Sequence, residues 1–195
     1  RMGLFIGQLS EGGLTQVTVE YSGEAANLKQ EPITLAALKG LLTPTLQENV
    51  NYVNAPLIAK DRGIEVTVTK TTSGGTEYTS LITLKVKADG REMLVAGTLN
   101  SRKEPRIVQV DNFPMETVPE GDMLVLMNND KPGVIGGIGT LLGQNGVNIA
   151  RMQFGREMEG GLAMSVVSID SNVSDELMGK IRQLSNVLSV KQIRI

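Results

Sequence analysis

Residues 121–195 alternate between strand-like and helix-like segments in a fixed order, and this order constrains the fold more than any other feature. Short apolar or alternating runs predict strands, and runs with apolar residues three to four positions apart predict helices. The resulting order is βαββαβ, which is typical of a ferredoxin-like α+β sandwich. The strands are predicted at 123–127, 147–156, 162–169 and 187–195.

Local signals mark both helices of this half. Pro132 suits the first turn of a helix, with Asp130 close enough to act as a capping acceptor, and Gly146 is a natural stop. Ser174 is expected to cap the second helix, whose first turn carries two acids that favour the positive end of the helix dipole. Ile135, Ile138 and Leu142 have helical spacing in the first helix, and Leu177, Ile181 and Leu184 are expected on the inner face of the second.

The first half predicts an intervening α+β domain with less regular spacing. A strand is expected at 15–21, and the Asp89-Gly90 pair predicts a tight hairpin. Four later runs alternate as the strands of one antiparallel sheet would, at 64–71, 78–87, 93–99 and 106–110. Helices are predicted at 35–42 and 46–62, the second divided or kinked by Pro56 and with an inner face of Leu46, Val50, Val53 and Leu57.

A linker is expected around 112–123, where two prolines and a glycine interrupt the pattern. We therefore divide the sequence into a lead-in at 1–12, a first domain at 13–117 and a second domain at 121–195. A chain of 195 residues accommodates one or two such domains.

Composition excludes several classes of function. The sequence has no Cys and no His, which removes disulfides, thiolate ligands and every imidazole-based catalytic or metal site. A net charge of −2 and only 3% aromatic residues argue against a nucleic-acid partner. No apolar run approaches the ~18 residues of a membrane span. No signal peptide pattern opens the sequence either. We expect a cytoplasmic protein without a membrane partner or a metal.

Gly137, Gly139 and Gly143 raise the question of a dinucleotide-binding loop. Such a loop needs a buried strand, a glycine turn and then a helix that starts at the phosphates. Here the helix is expected to begin before the glycines, so Gly136 joins these three inside it, and each costs about 1 kcal/mol relative to Ala. We interpret them as packing glycines that allow the sheet or a neighbouring helix to approach closely.

The loop ahead of that helix is the candidate binding site. Asn128, Asn129 and Asp130 combine short polar side chains with free helix N–H groups, and Asn148 lies where the helix meets the next strand. Asp130 could pair with an ammonium group, and Asn side chains could serve an ammonium or a carboxylate. Ordinary turn and cap residues remain the alternative for 128–130.

The stretch NNDKPGVIGGIGTLLGQNGVNIARM resembles the ACT family of small regulatory domains. The earlier stretches EYSGE, ENVNYVNAPLIAKDRGI and RIVQVDNFPME resemble the intervening, allosteric substrate-binding domain of long-form D-3-phosphoglycerate dehydrogenases. LFIGQLSEGG is similar to the end of the catalytic region of that family. The resemblance implies a regulatory C-terminal part without catalysis of its own, whose NAD-dependent catalytic domains are absent from this chain.

The resemblance also implies which residues bind. Asp130 and Asn148 match the residues of the family's L-serine site, and Asn128 stands where the family has His or Tyr, so we expect weakened binding of serine or another small amino acid. In the first domain Arg106 stands where a basic residue binds phosphorylated substrate or another anion, with Arg102 and Lys103 close by. The alternative for these three basic residues is a solvated loop.

The resemblance further implies self-association through both domains. Edge strands of the small sheet are expected to pair across a two-fold axis and to place effector sites between subunits. Three alternatives remain open: a regulatory part of bacterial L-serine dehydratase, a stand-alone NAD-binding enzyme, and a single-strand RNA binder. The last requires exposed aromatic residues on central strands, where only Phe154 is available.

Overall fold

The computed structural model describes residues 1–46, 49–71 and 77–195. It divides into two compact units at 1–111 and 112–195. The first unit contains, in chain order, α1 (Met2–Leu9), β1 (Leu14–Gly23), α2 (Gln30–Leu42), α3 (Ala55–Asp61), β2 (Glu65–Thr71), β3 (Ser80–Ala88), β4 (Arg91–Leu99) and β5 (Pro105–Val110). The second unit contains β6 (Phe113–Thr117), β7 (Asp122–Asn129), α4 (Val134–Gln144), β8 (Ile149–Arg156), β9 (Leu162–Ile169), α5 (Asp175–Arg182) and β10 (Val187–Arg194).

The strands of the first unit are hydrogen-bonded in the order β2-β1-β3-β4-β5. The pairs β1–β3, β3–β4 and β4–β5 are antiparallel, whereas β2 runs parallel to β1. The expectation of a purely antiparallel sheet is therefore wrong for β2, because α2 and α3 carry the chain back to the same end of the sheet before β2 begins. Asp89 and Gly90 form the expected tight turn between β3 and β4, both with positive φ.

The lead-in of the first unit is a helix that the sequence pattern did not predict. Helix α1 packs against α2 so closely that a Cβ on Gly3 would lie 2.2 Å from the carbonyl oxygen of Ala37. Gly40 makes the reciprocal approach, since its Cβ would lie 2.9 Å from the backbone nitrogen of Leu4. The glycines at 3, 7 and 40 are thus all required by a helix–helix contact.

The helix predicted at 46–62 is wrong in its first half. Its residues 47 and 48 lie outside the described residues, and 49–54 form a turn rather than a helix. Asn51 and Asn54 hold that turn, because each side-chain oxygen accepts a hydrogen bond from the other residue's backbone N–H, at 2.7 and 2.9 Å. Helix α3 begins just before Pro56, and Val53 and Leu57, expected inside, are exposed.

The second unit confirms the βαββαβ order from β7 to β10, and its sheet has the order β10-β7-β9-β8. Helices α4 and α5 cover one face, where a core includes Leu126, Ile138, Leu142, Val167 and Ile181. Ser174 caps α5 as expected, since its hydroxyl accepts a hydrogen bond from the N–H of Leu177 at 3.2 Å.

Strand β6 precedes this fold, within the segment interpreted as a linker. It contacts β8 and β9, and a Cβ on Gly155 would lie only 2.6 Å from the carbonyl oxygen of Pro114. Phe113 and Met115 are buried, so this segment, whose prolines suggested a break, contributes a strand with apolar side chains in the interior.

Candidate functional site

The loop between β7 and α4 is held by backbone hydrogen bonds that it donates to two neighbouring segments. The N–H of Asn129 donates to the carbonyl of Asn186, and the N–H of Asp130 donates to the carbonyl of Gly161, at 2.9 and 2.8 Å. The loop is thereby fixed between the β8–β9 hairpin and the start of β10. This anchoring positions the carboxylate of Asp130 beside the beginning of α4.

Asp130 does not cap α4, in contrast to the sequence expectation. The helix begins at Val134 after Gly133, whose φ of 92° lies in the left-handed region that favours glycine. The Oδ2 atom of Asp130 instead accepts hydrogen bonds from the backbone N–H of Gly160 and from Nη1 of Arg156, each at 3.1 Å. These two donors hold the pKa of the Asp130 carboxyl below its ordinary value, so the group is a carboxylate at neutral pH.

A groove of about 470 Å³ opens at this carboxylate. Its charged side chains belong to Asp130, Lys131, Arg156 and Glu159, and its apolar wall comes from the start of α4 and from Phe154. A carboxylate facing a guanidinium suits a small molecule that carries both charges. The lining residues are Asp130, Lys131, Pro132, Gly133, Val134, Ile135, Phe154, Arg156, Glu159 and Gly160.

Asn128 lies beneath the groove and not in its lining. The residue is completely buried at the end of β7. Its side-chain oxygen accepts a hydrogen bond from the hydroxyl of Ser165 at 3.2 Å, and its amide nitrogen donates to the carbonyl of Asn129 at 2.9 Å. Asn128 therefore shapes the backbone from which the loop departs.

Asn148 is at the opposite end of the same sheet. It precedes β8, whose first residue pairs with the last residue of β9, whereas Asp130 follows the end of β7 that pairs with the first residue of β9. Its side-chain nitrogen donates to Oδ2 of Asp170 at 2.6 Å. Within one chain, the structure does not bring Asn148 together with Asp130.

The glycines of α4 lie inside the helix and not in a loop ahead of it. This arrangement does not fit a dinucleotide, because the phosphates need glycine N–H groups before the first helical turn. A Cβ on Gly137 would meet Leu184 at 3.8 Å, but Cβ atoms on Gly136, Gly139 and Gly143 would meet nothing within 4 Å among the described residues. The described part of the chain therefore does not make the close approach that was expected at these three positions.

The three basic residues expected at an anion site are on the β4–β5 hairpin. Arg102 and Lys103 are exposed at its tip, where Lys103 has a positive φ of 60°. The guanidinium of Arg106 forms an ion pair of 2.8 Å with Glu104 and also donates to the carbonyl of Pro105. Glu104 thus offsets part of the positive charge that an anion would require.

A second cavity, of about 640 Å³, lies between α2, α3 and the edge strand β2. Its walls are mostly apolar, with Leu35, Leu38, Val66 and Val68 among them. None of the predicted anion-binding residues lines this cavity.

Sequence reasoning missed Arg156 and the role of Phe154. Successive side chains of a strand alternate between faces, so Met152, Phe154 and Arg156 share one face of β8. Met152 packs on the core beneath the helices, and the next two positions extend that face into the groove. Phe154 is on an edge strand and on the helix side of the sheet, which is not the arrangement of an RNA-binding platform.

Metal-binding clusters and membrane-spanning helices are both absent from the part of the chain that the structure describes. Its acidic residues nowhere form a cluster of three or more that could hold a metal ion. Its helices are all too short or too polar to cross a membrane.

Comparison with known proteins matches both units. The family profile of the D-3-phosphoglycerate dehydrogenase intervening domain matches residues 1–111, and the ACT domain profile matches residues 123–186. Curated relatives named D-3-phosphoglycerate dehydrogenase come from Synechocystis sp. (38% identical over 195 residues), Methanocaldococcus jannaschii (35% over 194) and Bacillus subtilis (34% over 193). They align with 99–100% of this chain, which spans only 35–37% of their own lengths.

Proposed function

The chain belongs to the D-3-phosphoglycerate dehydrogenase intervening-domain family and carries an ACT domain after it, and from this we propose that it is the regulatory C-terminal part of such a dehydrogenase. In this role it binds a small amino acid, with L-serine as the first candidate, and self-associates. The observation that carries the proposal is the groove beside the ionised carboxylate of Asp130, at the start of the first ACT helix.

NAD-dependent oxidation belongs, in this proposal, to the remainder of the longer protein. The relatives are about three times as long as this chain. The fragment offers neither His nor Cys as a proton-transfer group, and its helical glycines do not fit a dinucleotide. We therefore expect the isolated chain neither to bind NAD nor to oxidise 3-phosphoglycerate.

The amino-acid site is proposed to lie between two subunits. Strand β8 is an outer strand of its sheet, so its free edge is available to the β8 strand of a second copy. Antiparallel pairing across a two-fold axis would bring the Arg156 end of one β8 to the Ile149 end of the other. The groove at Asp130 would then approach Asn148 of the partner subunit, although the two residues are far apart within one chain.

The chemistry of this site follows from its donors and acceptors. Asp130 receives the ammonium group, and the amide of Asn148 from the partner subunit hydrogen-bonds the same ligand. A ligand that touches two chains stabilises one assembly over another only through a difference in affinity between them. Asn128 acts indirectly in this proposal, by fixing the backbone from which the loop departs.

Calorimetry of the chain with L-serine tests this function. We expect saturable binding in the unmodified protein, loss of binding in Asp130→Ala and a reduced affinity in Asn148→Ala. Asn129→Ala is the matched control, since Asn129 neighbours Asp130 and its hydrogen bonds with the described residues use its backbone. Unchanged affinity in both Asp130→Ala and Asn148→Ala would refute the assigned site.

The intervening domain is proposed to bind a phosphorylated hydroxy acid or another anion through Arg106, assisted by Arg102 and Lys103. The planar guanidinium of Arg106 matches phosphate oxygens. Because Glu104 already pairs with Arg106, the anion must displace that carboxylate or share the guanidinium with it.

A further inference from the structure

We propose that Arg156 is the carboxylate-binding residue of the ACT groove, and that an α-amino acid binds by exchanging its own two charges with the Asp130–Arg156 ion pair. This inference rests on the proposed amino-acid site and names the residue that selects the ligand class. Asp130 and Arg156 line the same groove and form an ion pair with each other. The guanidinium of Arg156 lies where the ammonium group of a ligand would bind Asp130. The carboxylate of Asp130 likewise lies where the carboxylate of a ligand would bind Arg156.

The geometry of the ion pair makes such an exchange accessible. Nη1 of Arg156 lies 3.1 Å from Oδ2 of Asp130, and the Arg156 side chain is 54% exposed. Oδ1 of Asp130 accepts no hydrogen bond from any of the described residues, so an ammonium group has an oxygen to approach before the guanidinium leaves. Because the guanidinium of this ion pair is half exposed to solvent, the pair contributes little stability and breaking it costs little.

The hairpin does not depend on this ion pair for its position. The N–H of Gly160 also binds Oδ2 of Asp130, and the N–H of Asp130 donates to the carbonyl of Gly161. In addition, Arg156 pairs with Ala163 through the backbone of β8 and β9. The guanidinium can therefore move to a ligand carboxylate while the backbone of the groove stays in place.

The exchange favours ligands that carry both charges. An α-amino acid replaces one ion pair by two, since its ammonium group binds Asp130 and its carboxylate binds the fork of N–H donors on Arg156. An amine without a carboxylate displaces the guanidinium and gives it no new partner. Pro132, Val134, Ile135 and Phe154 then contact the ligand side chain, which permits an apolar side chain as well as that of serine.

Lys131 and Glu159 are the other charged residues of the groove, and they provide matched controls. Lys131 carries the same charge as Arg156 but lies on the loop beside Asp130, and it forms no ion pair with Asp130 in the structure. If only the positive potential of the groove attracts the carboxylate, Lys131→Ala and Arg156→Ala should have equal effects. If Arg156 binds it directly, they should differ.

Calorimetry with two amino acids and their decarboxylated analogues tests the inference on the full chain. The probes are L-serine against ethanolamine and L-leucine against isoamylamine, measured with the unmodified protein, Arg156→Ala, Arg156→Gln and Lys131→Ala. We expect the unmodified protein to prefer the amino acid of at least one pair by about tenfold, the scale of one charge-assisted hydrogen bond. Both Arg156 variants should lose this preference, while amine binding stays equal or improves, and Lys131→Ala should retain it.

Two results separate this inference from the function on which it rests. If the unmodified protein binds neither amino acid, the amino-acid site and the role of Arg156 both fall. A different result is that the unmodified protein binds an amino acid, that Asp130→Ala abolishes this binding, and that Arg156→Gln retains the tenfold preference. In that case the amino-acid site stands and only the role of Arg156 falls. Equal loss of amine and amino-acid affinity in Arg156→Ala and Arg156→Gln would mean that Arg156 only maintains the structure of the groove, and this would overturn the inference.

Discussion

The hydroxyl of Ser165 on β9 donates a 3.2 Å hydrogen bond to the side-chain oxygen of Asn128 on β7, and both residues are completely buried. The pair lies on the helix side of the sheet, among apolar neighbours such as Leu126. A polar pair in that position is tolerated only while each member satisfies the other. Asn128 therefore contributes to the groove through the stability of the strand beneath it.

Ser165→Ala should lower the free energy of unfolding by about 1–3 kcal/mol, because it leaves the Asn128 oxygen buried without a donor. Ser189→Ala, at an exposed position of β10, should change the same quantity by less than about 0.5 kcal/mol. Urea denaturation of both variants provides the measurement. Equal stabilities would show that Asn128 finds another donor and that the pair is not structural.

Gly3→Ala should destabilise the first unit by about 1–3 kcal/mol or more, because the added Cβ meets the backbone of Ala37, which cannot rotate away. Gly179→Ala is the matched substitution in α5, where a Cβ meets nothing within 4 Å among the described residues. It should stabilise the second unit by up to about 1 kcal/mol through helix propensity. Thermal unfolding of both variants distinguishes a glycine needed for packing from one that is not, and opposite signs are the expected outcome.

The chain should sediment as a dimer or a larger assembly at micromolar concentration. Strand β8 is an outer strand, and Cβ atoms on Gly136, Gly139 and Gly143 of α4 would meet nothing within 4 Å among the described residues. Gly139→Leu should weaken self-association, since a bulky side chain prevents a partner from approaching α4 closely. Sedimentation equilibrium that finds only the 20.9 kDa species for the unmodified chain would contradict this prediction.

Asp111→Asn should increase stability at neutral pH and have less effect in acid. Burial raises the pKa of the Asp111 carboxyl, against the opposing effects of the Leu94 N–H and of Arg91. The folded state therefore binds more protons than the unfolded state as pH rises from 3.8, the ordinary value, through the raised pKa, and stability falls across that window. An Asn side chain still accepts from Leu94 and tolerates the φ of 48°, but carries no charge.

Denaturation of the unmodified chain and of Asp111→Asn, measured at several pH values, provides the test. The difference in the free energy of unfolding should grow from below pH 3.8 toward neutrality and then level off. A constant difference across this range would mean that the ionised carboxylate has no net cost in the folded state.

Phosphate should raise the melting temperature of the first unit by a few degrees, at about 2–4 °C per kcal/mol of binding free energy for a chain of this size. Arg106→Ala should remove the increase, and Arg106→Lys should not restore it, because Lys lacks the planar fork of donors. Glu104→Gln should enlarge the increase by freeing the guanidinium from its 2.8 Å ion pair. If phosphate raises the melting temperature equally in the unmodified chain and in all three variants, Arg106 does not bind the anion and only pairs with Glu104.

Local signals in the sequence were sufficient for much of the second unit and for one hairpin turn of the first. The period of the apolar residues determined the order βαββαβ, and Ser174 and the Asp89-Gly90 pair determined a helix cap and a hairpin turn. These features depend on residues a few positions apart, so they can be read before any long-range contact is known.

Features that depend on distant residues were decided only by the tertiary structure. Helix α1 packs closely on α2 because both helices have glycines at the contact, and β6 packs against β8. The Arg156–Asp130 ion pair joins residues 26 positions apart, and strand register decides that they meet. The same register buries Asn128 and separates Asn148 from Asp130, because antiparallel pairing of β7 and β8 with β9 places the two residues at opposite ends of the sheet.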